Sequence, residues 1–263
     1  MFLRITKKSL FLFFAILLLS SCGKEINING NIEGDDFDGE TVYLYVVKSD
    51  SLTIPSFVAK TTVEDGCFAF HAIEKYIEEK ELPTIAILSL FDLFDQTETR
   101  DLPIATAILE EGTVHVTFSG TAVILSGTAK NEKFNLIHQA ITDLADLAER
   151  KDRFGDIDNI PADDKGRDGR GQLQFLDQRL KDVTFDFAKE NMTNNMGQFL
   201  FYSYAENMFT PAQMIELIAL SDAKFKDRKE IKELSNILAT MNNDSPALNI
   251  EHTEPSLEID VEK

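Results

Sequence analysis

The chain has 263 residues, 45 acids against 26 Lys and Arg, and a formal charge of −19. That balance argues against nucleic-acid binding, which relies on cations to neutralise phosphates, and against electrostatic adhesion to an anionic membrane. Twenty Phe and a 43% hydrophobic content leave ample apolar material for a core, in one large domain or two small ones.

Residues 1–21 divide into a cationic start (Arg4, Lys7, Lys8), an unbroken apolar run from Leu10 to Leu19, and the small residues Ser20 and Ser21. That is the build of a secretory signal peptide. The run is about half of the roughly 20 residues that span a bilayer, so a lasting transmembrane helix is not expected. The tetrad Leu19-Ser20-Ser21-Cys22 resembles the lipobox of bacterial lipoproteins. The resemblance implies that the Cys22 sulfur takes a diacylglyceryl group and that the chain is cut before Cys22. It also implies acylation of the new amino terminus. A thiolate suits that chemistry, and two or three acyl chains make a durable anchor where one is marginal. Removal of residues 1–21 takes away three cations and no acids, so the mature charge becomes −22 (−19 minus 3).

Strand signals follow. Ile26 and Ile28 alternate with Asn27 and Asn29, and Gly30, Gly34 and Gly39 punctuate an acidic turn region. "TVYLYVV" sets Val42, Leu44 and Val46 on one face and Tyr43, Tyr45 and Val47 on the other. "TVEDGCFAF" turns at Glu64-Asp65-Gly66 into Phe68 and Phe70. "TIAILSLF" and "PIATAIL" are short apolar runs; "EEGTVHVTF" turns Val114, Val116 and Phe118 inward; "AVILSGT" closes the set. Several short strands with regular turn signals predict an antiparallel β-sandwich or partly open barrel. After Gly127 the period changes. Phe134, Ile137, Ile141, Leu144, Ala145 and Ala148 predict an amphipathic helix over 131–152. A charged, Gly-rich connector from Asp152 to Gly171 has a composition poor for packing. Leu173, Leu176, Leu180, Val183 and Phe187 mark a second helix, and "MGQFLFYSYAENM" a third. Thr210 as N-cap with Pro211 at the first helical position starts a fourth. Residues 225–241 make the last, with Ile231, Leu234, Ile237, Leu238 and Met241 inward.

The order of these features resembles one family. Lipobox, strands with Gly34, Gly39 and "VYL", "DGCFAF", "ILEEGTVHV", "LSGTAKN" and helices holding "NNMGQFLFYSYAENMFTPAQM" are similar to the family labelled domain of unknown function 4369, over roughly residues 22–241. This is an amino-terminal module of many Bacteroidetes lipoproteins. In many relatives a thioredoxin-like domain with a W-C-x-x-C motif follows. The present chain has no Trp and no C-x-x-C, so those redox residues have no positions here. The family has no agreed biochemical role, and the resemblance implies fold and location more than activity.

Candidate chemistry is sparse. His71, His115, His138 and His252 stand in no metal-binding spacing; His115 falls on the outward face of its strand and His138 borders the apolar stripe of the first helix. The loops beginning at Gly34 and Asp164 lack calcium ligands at two or more required positions and read as solvated turns. Cys67 alternates with Phe68 and Phe70 and reads as a small outward strand residue. No nucleophile elbow, P-loop or dinucleotide fingerprint is present. Tyr43, Tyr45, Tyr202 and Tyr204, with Phe199, Phe201 and Phe209, are either core packing or the lining of a binding groove.

The expectation is therefore an α+β protein. It has a signal peptide at 1–21, a β-rich domain at 22–128, a helical domain at 131–242 and an extended or disordered tail at 243–263. It is expected to be a lipoprotein tethered through Cys22, without cofactor, metal or catalytic residues, and to have a binding or scaffolding role with an envelope protein partner. The alternative is an accessory to a thioredoxin-like thiol-disulfide or peroxide-reducing partner supplied by another chain. Gly23 after the cysteine favours the outer membrane, facing the periplasm, with the surface face left open. The alternation of Leu257, Ile259 and Val261 with acids suits a strand added to a sheet edge.

Overall fold

The computed structural model describes residues 25–34, 37–78, 82–95, 104–120 and 122–244. Cys22, His252 and the Leu257–Ile259–Val261 segment lie outside the described residues. Two compact units are present, one ending at Asp222 and one beginning at Ala223.

The first unit holds eight described strands: β1 Ile26–Ile32, β2 Thr41–Lys48, β3 Ser51–Thr62, β4 Cys67–Phe70, β5 Thr84–Ser89, β6 Ile104–Leu109, β7 Gly112–Ser119 and β8 Ala122–Ser126. They form two four-stranded sheets, in the orders β4-β1-β7-β8 and β3-β2-β5-β6. Four helices follow: α1 Ala129–Phe154, α2 Gly169–Asn191, α3 Asn195–Met208 and α4 Pro211–Leu220. The fold is α+β, and among the described residues neither sheet closes into a barrel.

One pairing departs from the antiparallel expectation. β1 pairs antiparallel with β4 but parallel with β7, from Ile26↔Gly112 to Ile32↔Phe118. A parallel partner needs a long crossover, and the whole second sheet supplies it between these two strands. The same pairing explains the clean alternation of both. Ile26, Ile28, Ile32, Val114, Val116 and Phe118 are buried, while Asn29, Asn31 and His115 are exposed on the other face. Phe68 sits opposite Gly30, and a Cβ on Gly30 would lie 1.9 Å from that ring. The glycine leaves space for the aromatic to lie flat on the sheet, as in aromatic rescue.

The second sheet is buried on both faces. Val42, Leu44, Val46, Leu88 and Ala107 fill one side, and Tyr45, Val47, Ile85 and Ile108 the other. Helix α3 packs on β2, β3 and β5, and α1 on β6 and β8. The passage from strand to helix at Gly127–Thr128 thus lies inside the first unit. A strand from Ser51 to Thr62 was not foreseen: Pro55 lowers strand propensity, and the structure places it on a sheet edge, where proline is tolerated.

Most of the foreseen helices are present with shifted faces. On α1 the buried residues are Asn131, Phe134, Ile137, Ala140 and Leu147, while Ile141 is exposed. On α2 they include Leu180, Thr184, Phe187 and Ala188, and Leu173 is exposed. Thr210 caps α4 in a full capping box with Gln213, with Pro211 at the first turn. The charged connector is built rather than loose. Asp163 Oδ1 accepts the Arg167 N–H (2.9 Å) and Lys165 N–H (3.0 Å), and Arg167 stacks 3.8 Å from the Phe175 ring centre. Buried Gln172 donates to the carbonyls of Pro161 (3.0 Å) and Arg167 (2.8 Å). Local Asp and Arg contacts thus replace the apolar burial that the composition lacks.

The second unit contains α5 Ala223–Lys226 and α6 Lys229–Asp244, with Lys232 paired to Asp227 at 2.9 Å. Phe225, Ile231 and Leu238 are buried; Ile237 and Met241, expected inward, are exposed. Among the described residues no helix is long and apolar enough to cross a membrane.

Candidate functional site

Helix α1 lies along an open edge of each sheet, β6 in one and β8 in the other, and its polar stripe completes their hydrogen bonding. The Asn131 carboxamide accepts from the Ile108 N–H (2.8 Å) and donates to the Ile108 carbonyl (2.7 Å). One turn on, Asn135 Oδ1 accepts the Leu125 N–H of β8 (2.8 Å). Less than a turn later, His138 Nε2 meets the Thr106 carbonyl of β6 at 2.7 Å. Residues 131, 135 and 138 share a helix face at 3–4 spacing. They satisfy edge groups that would otherwise be buried without partners or left open to another strand.

Beyond that stripe, β6, β8, α1 and α3 line a partly open cavity of about 220 Å³, with Ile104 and Ile141 at its exposed rim. Ile104, Val123, Phe134, Ile137, Ile141, Phe199 and Leu200 give it apolar walls, and Thr106, Thr142, His138 and Tyr204 add polar groups. A carbonyl can only accept, so the His138 proton sits on Nε2. Burial holds this imidazole below its ordinary range, with the bond to the Thr106 carbonyl opposing in part. The ring is therefore neutral near pH 7 and its Nδ1 is an acceptor. Burial alone pushes the Tyr204 phenol up. Among the described residues the cavity walls carry no Lys, Arg, Asp or Glu. Convergent polar groups and titratable side chains perturbed by burial are features that small-molecule sites share.

A second aromatic group lies around Tyr45. This buried tyrosine donates to Asp92 Oδ1 (2.7 Å) and accepts the Leu93 N–H (3.0 Å), which pins the turn after β5. Burial first, then the hydrogen bond to Asp92, raises its pKa far above the ordinary phenol range. Phe57 and Phe94 pack edge-on against it, 5.8 and 5.7 Å between ring centres, and are more than half exposed.

The residues singled out in the sequence thus separate. Tyr204 and Phe199 line the cavity; Tyr43 stacks beside Tyr45 at 6.4 Å. Phe201 and Phe209 are core, and Tyr202 packs edge-on against Phe201. His71 and His115 are exposed and apart from His138. Cys67 is a free, exposed thiol. Among the described residues no group of three or more His, Cys, Asp or Glu could hold a metal ion. Asn131, Asn135 and Thr142 were missed; the only available signal was polar residues interrupting a helical apolar stripe. No protein-family model matches the chain, and no curated protein matches it significantly.

Proposed function

We propose that this chain is an envelope lipoprotein, anchored through Cys22, whose folded part acts as a non-catalytic binding protein with the His138–Tyr204 cavity as its ligand site. The observation that carries the binding role is the cleft itself, lined by apolar and polar groups in similar measure and formed by two helices and two strand edges. Its groups suit binding better than turnover. His138 is committed to the Thr106 carbonyl at 2.7 Å, and among the described residues no carboxylate orients it. The anchor rests on Leu19-Ser20-Ser21-Cys22 after a cationic and apolar leader. Gly23 supports placement at the outer membrane on the periplasmic side. Kinship with the domain of unknown function 4369 modules rests on the order of turn glycines and strands.

Two experiments test this reading. Cys22→Ala is expected to abolish fatty-acid labelling and leave uncleaved precursor; retained label refutes the anchor. Protein isolated from its own membrane is expected to release a small organic compound on denaturation, absent from Ile141→Trp, whose side chain would narrow the cavity. The same compound at equal yield from both proteins refutes the site.

A further inference from the structure

The cavity's polar groups say more about its ligand than its size does. The Tyr204 hydroxyl, the Thr142 hydroxyl and His138 Nδ1 make no hydrogen bond to any described residue, although all three residues line the cavity. Two of these groups both donate and accept; the third accepts only. All three residues are half-buried, so these groups are open to a ligand that matches them in place of water. Among the described residues the walls hold no formal charge to pair with an ion, and burying an unpaired charge is far costlier than burying a hydroxyl. A cavity of about 150 Å³ admits benzene, so about 220 Å³ has room for one substituted ring.

We propose that the cavity takes a neutral, single-ring or short-alkyl compound bearing one hydroxyl group, with that hydroxyl seated among Tyr204, Thr142 and His138. This rests on the binding role proposed above. The ligand's O–H donates to His138 Nδ1, and its oxygen accepts from Tyr204 or Thr142. The hydrocarbon part lies against Ile137, Phe199 and Leu200.

The test uses the full chain in lipid nanodiscs with ¹³C-methyl-labelled isoleucines, and reads the Ile104, Ile137 and Ile141 methyl signals. Free probe concentrations are fixed by dialysis. Three probes share one shape: 4-methylphenol, toluene and 4-methylbenzoate. The phenol is expected to bind about five- to tenfold more tightly than toluene, the worth of one net hydrogen bond, and the benzoate to be weakest. Tyr204→Phe is expected to erase most of the phenol's advantage while leaving toluene affinity and the melting temperature near wild type. Ile141→Trp is expected to remove binding of all three. Equal affinity for phenol and toluene overturns the hydroxyl assignment and leaves the cavity a ligand site. Tightest binding by the benzoate overturns neutrality. Methyl signals unmoved by every probe overturn the site and this inference together.

Discussion

Asn131→Ala probes the closure of the β6 edge. Asn131 is fully buried and makes three hydrogen bonds: from the Ile108 N–H, to the Ile108 carbonyl and to the Thr128 hydroxyl, at 2.8, 2.7 and 2.8 Å. Alanine removes all three. Ile108 is itself 0% exposed, so its N–H and carbonyl lose their partner away from bulk water. An orphaned buried group costs about 1–3 kcal/mol, and two give about 2–6 kcal/mol. The better helix propensity of alanine returns about 0.5 kcal/mol. A net loss of about 2–5 kcal/mol is expected, a large part of a typical stability of about 5–15 kcal/mol. Urea unfolding followed by circular dichroism measures it. Glu132→Ala, exposed on the same turn, is the control and is expected to change stability by less than about 0.5 kcal/mol. Hydrogen exchange at the Ile108 amide is expected to accelerate in Asn131→Ala under native conditions. A loss below about 1 kcal/mol with unchanged Ile108 exchange would refute the role assigned to α1.

Three further outcomes are expected. The folded His138 pKa lies below its ordinary 6.5, so the unfolded chain takes up a proton first as pH falls; stability is full above pH 6.5 and declines below it, and His138→Gln is expected to flatten that decline in urea titrations between pH 7.5 and 5.5. Tyr45 has a raised pKa, so it is expected to stay un-ionised in the folded chain where exposed tyrosines titrate, with stability lost as pH rises past 10; Tyr45→Phe should cost about 1–2 kcal/mol and abolish this resistance in an ultraviolet titration. Gly127 has φ +93°, and a Cβ there would lie 2.3 Å from the Thr113 carbonyl oxygen, so Gly127→Ala should destabilise by at least about 2 kcal/mol; an unchanged urea midpoint would contradict the turn geometry.

Local chemistry made part of this protein legible in its sequence. The Leu19–Cys22 tetrad can be read without a fold, because its expected processing would act on linear sequence. The Thr210-Pro211 start and the Ile26/Ile28 and Val114/Val116/Phe118 alternations likewise depend on nearest neighbours, and the capping box and the buried faces agree with them. Tertiary structure decided what depends on partners far along the chain. β1 and β7 are parallel because a whole sheet intervenes between them, which neither strand's pattern encodes. "TVYLYVV" is buried on both faces, with α3 packed on β2 as the distant chain segment that the strand's own pattern does not encode. Ile141 is exposed because the orientation of α1 is set by the unpaired edges of β6 and β8 as well as by apolar burial. His138 is the clearest case. Its place beside an apolar stripe is visible in the sequence, but its neutral state comes from burial and its tautomer from a carbonyl 32 residues away. Backbone hydrogen bonding at a strand edge is nearly independent of which side chains the strand carries, so sequence patterns do not register which helix will satisfy it.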